Sequence, residues 1–225
     1  MKLCKRHQEN LQKVPKTKVS LSEAVAALKA FKETKFDQTV ELVLHLGIDP
    51  RQADQALRGS ISLPHGIGRS RKVVAFCEGE DAAKAKEAGA VEVGADDLVK
   101  KINDGWTDFD VAIATPQMMK IVSKLGRVLG PQGKMPSPKA GTVVTDIPKA
   151  VREYAAGKVE YRNDDGGNLH VPVGKMSFDA KKLAENVEAM LAHVRKIRPA
   201  TTKGAYIKKA CLVATMTPAV LLDVQ

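Results

Sequence analysis

Between Thr39 and Gly47 the apolar residues Val40, Leu42, Leu44 and Leu46 alternate with Glu41, Val43 and His45, the period-2 pattern of a strand with one buried face. Upstream, Ser20-Leu21-Ser22-Glu23 reads as a capping box, with Ser20 bonding the first-turn N–H groups and Glu23 reaching back. The helix it opens is expected to run to about Phe31. The residues before Ser20 are basic and polar and read as an exposed tail. A short helix is expected from about Arg51 to Arg58. After it, Leu63-Pro64-His65-Gly66-Ile67-Gly68 breaks the pattern and marks a linker.

From Arg71 the rhythm changes. Val73-Val74-Ala75-Phe76 is a short continuous apolar run, Glu80 to Ala88 reads as helix, and Val91 to Val93 is apolar again. Helix is expected over Asp96–Ile102, strand over Asp110–Ala114, helix over Pro116–Lys124 and helix over Ile147–Ala156. Such alternation of strand and helix is the rhythm of a small doubly wound domain with a parallel sheet. Beyond Gly157 alternating strands return, Lys158–Arg162 and Asn168–Val173, with Asn163-Asp164-Asp165-Gly166-Gly167 between them as a hairpin signal. A long amphipathic helix, about Asp179–Ile197, and a strand, about Tyr206–Met216, complete the pattern.

The flanks resemble each other more than either resembles the middle. The expected fold class is therefore α/β with two domains. Residues 1–67 and 157–225 form a discontinuous α+β terminal domain, an antiparallel sheet plus helices, into which 68–156 insert as a doubly wound, Rossmann-like α/β domain.

One stretch fits neither rhythm. From Lys124 to Lys139, glycines and prolines alternate with the cations Lys124, Arg127, Lys134 and Lys139. Proline lacks an N–H and glycine forfeits backbone entropy, so neither helix nor strand is expected there. A long basic loop of this kind is usually functional, with a polyanion as its natural partner.

Composition adds to this picture chiefly through charge. The formal net charge is +10, which suits a partner such as nucleic acid. Residues 68–156 hold 14 Lys or Arg against 12 Asp or Glu, so most of the excess falls on the terminal domain. Only 4% of residues are aromatic, too few for a platform of stacked bases, so recognition should lean on shape and phosphates. No run of 18 apolar residues exists, and the first 20 residues carry six Lys or Arg. Neither a membrane span nor a signal peptide is expected, and no membrane partner. Three widely spaced cysteines, Cys4, Cys77 and Cys211, form no Cys-x-x-Cys pair and fit a reducing cytoplasm. Cys4 with His7 is at most half a metal site.

Catalytic and cofactor motifs fail on inspection. Gly133-Lys134 lacks the upstream glycine and the following Ser or Thr of a phosphate-binding P-loop, and Gly66-x-Gly68 has Arg71 where a third glycine belongs. The five histidines lack metal spacing, and no serine sits in a nucleophile elbow. No cofactor, no metal and no enzymatic activity are expected. His170, following a turn in a basic region, is a candidate for phosphate or ribose contact, with a surface or packed role as the alternative. Phe36, within Lys35-Phe36-Asp37-Gln38-Thr39, could be a core plug or an exposed surface for a sugar or base, and position alone favours the core. Thr215-Met216-Thr217 could equally line a groove or close a core.

Taken together, Leu46-Gly47-Ile48-Asp49-Pro50-Arg51, Leu63-Pro64-His65-Gly66, Asp108-Phe109-Asp110-Val111, Ala114-Thr115-Pro116, Lys124–Lys139, Val159-Glu160-Tyr161-Arg162-Asn163-Asp164 and Val173-Gly174-Lys175-Met176-Ser177-Phe178 are similar to the bacterial-type large-subunit ribosomal proteins of the L-one family. The resemblance spans nearly the whole chain. It implies a cytoplasmic ribosomal protein whose terminal domain grips folded large-subunit ribosomal RNA, forming a mobile side stalk that assists release of deacylated tRNA from the exit site. It also implies repression of translation through a similar site on the protein's own mRNA.

Family contacts carry over to Lys35, Phe36 and Thr39 on one side and to Thr215 and Met216 on the other. Thr217 stands where the family usually has glycine, and Ser137 and Ala219 also depart from its common pattern. Arg127, Lys134 and Lys139 would face tRNA from the basic loop, with the inserted domain hinged near Gly66–Gly68 and Gly157. Two other functions stand beside this reading. One is a free-standing RNA-binding regulator of translation; the other is a nucleotide-binding enzyme built on the middle domain.

Overall fold

The computed structural model describes residues 3–52 and 54–224. In chain order the elements are α1 (Lys5–Gln12), α2 (Leu21–Lys29), β1 (Thr39–Leu46), β2 (Arg58–Ile61), β3 (Val73–Phe76), α3 (Glu80–Glu87), β4 (Glu92–Gly94), α4 (Asp96–Asn103), β5 (Val111–Ala114), α5 (Met119–Val122), α6 (Gly126–Leu129), α7 (Ile147–Ala155), β6 (Val159–Arg162), β7 (Asn168–Lys175), α8 (Ala180–Lys196), β8 (Ile207–Ala214) and β9 (Val220–Leu222). Single 3-10 turns occupy Ser123–Leu125 and Pro138–Ala140. The strands form an antiparallel sheet in the order β7-β1-β8-β9, an antiparallel pair β2-β6 and a parallel sheet β4-β3-β5. The fold is mixed α/β. Its contacts group into two compact units, Met1–Gly68 with Val159–Gln225, and Arg69–Lys158.

In the first unit β1 is the central strand, and its burial alternates along its whole length as its sequence does. Val40, Leu42, Leu44 and Leu46 point inward with Leu169, Val171, Leu212 and Ala214 from the neighbouring strands. Two helices cover that face: α2 through Ala24, Val25 and Leu28, and α8 through Leu183, Val187, Met190 and Val194. The capping box is formed as the sequence predicts, Glu23 N–H donating to Ser20 Oγ and Ser20 N–H to Glu23 Oε2. On the opposite face of this sheet, residues of the other parity, such as Thr39, Glu41 and Val43, are only partly covered.

Several expectations need correction in this unit. The residues before Ser20 do not form a simple tail: α1 folds back through Asn10, which is fully buried and accepts the Lys32 N–H at 2.9 Å. No helix spans 51–58 among the described residues. The chain makes successive turns instead, Gln52 N–H donating to the Asp49 carbonyl and the Gln55 and Ala56 N–H groups to the Gln52 carbonyl, with Gln55 Oε1 reaching back to accept the Asp49 N–H. The chain then enters β2, which the sequence reading missed, as it missed the three-residue β9. The turn at 163–167 forms, held by Asp164 Oδ1 accepting N–H groups from Gly166 and Asn168, and Gly167 adopts the positive φ of 73° the turn needs. Its strands nevertheless diverge: β6 pairs with β2, and β7 with β1. The 63–68 segment is more than a spacer, because Leu63 and Ile67 are buried in the core.

In the second unit every residue of β3 and β5 is buried, as expected for strands covered on both faces. Alternate residues feed two separate clusters. Val74, Phe76, Ala112 and Ala114 meet α4 and the segment 118–129; Val73, Ala75, Val111 and Ile113 meet α3 and α7. The 124–139 stretch corrects its expectation, for α6 and both 3-10 turns lie in or beside it. Leu125 and Leu129, each fully buried, supply apolar contact that offsets the helical cost of Gly126 and Gly130. The helix expected over Pro116–Lys124 is shorter, α5 followed by the 3-10 turn at Ser123–Leu125.

Candidate nucleic-acid interface

Sheet pairing brings together the start of β1 and the end of β8. Val40 pairs with Ala214, and one residue beyond, Thr39 and Thr215 exchange three bonds. Thr215 N–H donates to the Thr39 carbonyl at 3.1 Å, Thr39 N–H donates to Thr215 Oγ1 at 3.1 Å, and Thr215 Oγ1 donates to the Thr39 carbonyl at 3.4 Å. On the other side Thr39 pairs with Lys175 of β7, whose Nζ donates to Thr39 Oγ1 at 2.9 Å. A single rim therefore carries a lysine, two threonine hydroxyls and, flanking them, Phe36 and Met216.

Those two flanking side chains are each 51% exposed. Phe36 is thus no core plug, which corrects the positional expectation. The 33–38 segment that carries it is tied at its ends, Thr34 Oγ1 donating to the Phe36 carbonyl and Asp37 accepting both the N–H and the hydroxyl of Ser177. Exposed Lys35 stands beside the ring, and a hollow of about 350 Å³ lies among Thr34, Phe36, Gln38, Met176 and Ser177.

Thr217 behaves differently from its neighbours. It is 8% exposed, its Oγ1 accepts the Ala214 N–H at 3.0 Å and donates to the Ala214 carbonyl at 3.2 Å. Its hydroxyl thereby closes the turn after β8, so Thr217 is turned inward while Thr215 and Met216 are exposed. No residue other than glycine has positive φ among the described residues, so the β-branched side chain at 217 sits on unstrained backbone. His170 is exposed on β7 opposite Val43, on the same outward face as Thr39 but four residues further along, about 13 Å at strand spacing. Asp164, which anchors the turn preceding it, has its carboxyl held below the ordinary carboxylate range by hydrogen bonds from Asn168, first from the side chain and then from the backbone.

Of the basic-loop candidates in the second unit, Arg127 and Lys139 are exposed. Lys134 is half-buried, donates to the Thr107 carbonyl at 2.9 Å and lies 5.2 Å from the centre of the Phe109 ring, so its ammonium serves the unit's own packing. The sequence reading passed over Asp37, Gln38, Lys175 and Ser177. Only Lys175 carried a signal, as a cation ending an alternating strand; the others depend on pairings more than 130 residues apart in the chain.

Away from the rim, the Tyr161, His193 and Tyr206 side chains are partly or wholly buried. Burial, reinforced by Lys196, pulls the His193 imidazole below its ordinary range, and its Nε2 shares a 2.8 Å hydrogen bond with Tyr161 Oη. Burial also pushes Tyr206 up to about 12. Among the described residues no group of His, Cys, Asp or Glu is arranged to hold a metal ion, and no helix is long and apolar enough to cross a membrane.

Comparison with known proteins converges on one family. The pattern of the ribosomal protein L1p/L10e family matches residues 28–218. The large ribosomal subunit protein uL1 of Rhodopirellula baltica is 57% identical over 219 residues, covering 97% of each chain. Proteins of the same name from Lactobacillus johnsonii and Kosmotoga olearia are 52% identical over 220 residues and 50% identical over 225 residues, covering 97% and 100% of this chain and 96% and 97% of theirs. The segments that carry the resemblance in the sequence fall inside the matched region, and the chain belongs to the ribosomal protein L1p/L10e family, a family of ribosomal proteins and not of enzymes.

Proposed function

We propose that this chain is a structural component of the large ribosomal subunit that binds large-subunit ribosomal RNA through the rim at the start of β1 and the end of β8. The observation that carries this reading is the exposure of Phe36 and Met216 on either side of the hydroxyls of Thr39 and Thr215. An apolar pair flanking hydroxyl groups suits the shallow minor groove of folded RNA, where riboses and 2′-OH groups are displayed. Lys35 and Lys175 supply cations for phosphates. His170 extends the contact along the sheet, and Thr217 acts from beneath by fixing the turn that presents Met216.

In this reading the protein works in the cytoplasm on the ribosome. The second unit is a doubly wound, Rossmann-like domain inserted into the discontinuous first one and hinged near Gly66–Gly68 and Gly157. With it the protein forms a mobile side stalk, presents Arg127 and Lys139 toward exit-site tRNA, and assists release of deacylated tRNA. The same rim would bind the chain's own mRNA and repress its translation. The test is reconstitution. Large subunits stripped of this protein should release deacylated tRNA more slowly, adding the chain back should restore the rate, and the Phe36→Ala variant should restore it only at higher protein concentration. Equal rates with and without the chain would refute the role in tRNA release.

A further inference from the structure

We propose that Gln38 is a positioning residue of the RNA-facing rim: it locks the backbone of Met216, and with it the presentation of the Met216 side chain, before RNA arrives. The inference rests on the reading of this rim as the RNA contact. Gln38 is only 3% exposed, and a glutamine buried that far requires hydrogen-bonding partners. Its Oε1 accepts the Met216 N–H at 2.9 Å, and its backbone carbonyl accepts the Met176 N–H at 2.9 Å. One residue thus ties together the segment bearing Phe36, the turn bearing Met216 and the edge of the hollow at Met176.

The ladder between β1 and β8 does not reach Met216. Its outermost Cα pair is Val40 with Ala214, and Thr215 is held by Thr39. Removing the carboxamide would leave the Met216 N–H to water and let a half-exposed side chain sample several positions. RNA binding would then have to order it, which lowers affinity without removing any contact. Glutamine also reaches the turn without placing a negative charge beside phosphates, as glutamate would.

The test compares the full-length wild type with Gln38→Leu and Gln38→Glu in binding to the folded stalk segment of large-subunit ribosomal RNA, with amide hydrogen exchange read at Met216. Gln38→Leu should bind about tenfold more weakly, the scale of one lost hydrogen bond, with an unchanged salt slope and faster exchange at Met216 but not at Leu42. Gln38→Glu keeps the acceptor. It should restore protection at Met216 and most of the affinity at about 0.3 M salt, where screening acts within about 6 Å. If Gln38→Leu loses protection at Leu42 as well, Gln38→Ser, too short to reach Met216, is read by the same criteria. Wild-type affinity in the Leu or Ser variant overturns the role of Gln38, as does a Glu variant that protects Met216 yet binds no better than they do. A wild-type chain that fails to prefer the folded RNA overturns the reading of the rim, and the role of Gln38 with it.

Discussion

Replacing Phe36 with alanine removes the largest exposed apolar group on the rim and no charge. A phenylalanine side chain offers about 150–250 Å² of surface, and Phe36 is 51% exposed, so roughly 100 Å² is available for RNA to cover. At about 25 cal/mol per Å² full coverage is worth about 2.5 kcal/mol. Alanine keeps part of that contact, which leaves about 2 kcal/mol, or roughly thirtyfold in affinity. Because Phe36 lies outside the core, the folded state should change by no more than about 0.5 kcal/mol. Equilibrium titration with the stalk RNA at several salt concentrations separates the possible causes. Phe36→Ala should shift the plot of log Kd against log salt without changing its slope, whereas Lys35→Gln should reduce the slope by about 0.7–0.9 for one lost phosphate contact. Unchanged affinity in Phe36→Ala, or a loss that tracks a fall in thermal stability, would refute the assignment of the ring to the interface.

Leu129→Ala should cost about 3 kcal/mol in denaturant unfolding, because Leu129 is fully buried in α6; a cost below about 1 kcal/mol would mean that the 124–139 stretch is a free loop after all. Thr217→Val keeps the shape but removes the hydroxyl that serves Ala214, so stability should fall by about 1–2 kcal/mol, measured by thermal unfolding. The His193 imidazole is depressed in the folded state, so below its unfolded value of about 6.5 the unfolded chain binds the extra proton first and stability declines as pH falls through that window. His193→Gln should flatten the stability profile between about pH 6.5 and the lowered folded value, and an unaltered profile would contradict the assignment.

How much of this was legible in the chain depended on whether the signal was local. The alternation over 39–46, the capping box at Ser20 and the apolar runs of β3 and β5 are set by neighbours a few residues apart, and they read correctly. The segment 51–58 misled because its residues suit a helix as well as a turn, and the chain takes turns closed by the Asp49 and Gln52 carbonyls before Arg58 enters β2. Gly126 and Gly130 suggested a loop, but Leu125 and Leu129 outweighed them once a core was present to receive both. At the rim, Thr39, Thr215 and Met216 were named through family resemblance, while residue pattern alone favoured the core for Phe36. Gln38 and Asp37 stayed hidden because their partners, Met216 and Ser177, are brought to them only by the folded sheet. Thr217 was noticed as a departure from the family's glycine, but its inward hydrogen bonds could be read only from the turn after β8.

Shape-specific recognition of ribosomal RNA by this rim is decided by titrating the full-length protein with the folded stalk segment of large-subunit ribosomal RNA, beside a scrambled RNA of equal length and composition, across a salt series. Shape-specific recognition requires tight binding to the folded segment, a Kd that rises steeply with salt, and a large preference over the scrambled RNA at every salt concentration. Equal affinity for both RNAs would contradict it and leave only general attraction between a basic protein and a polyanion.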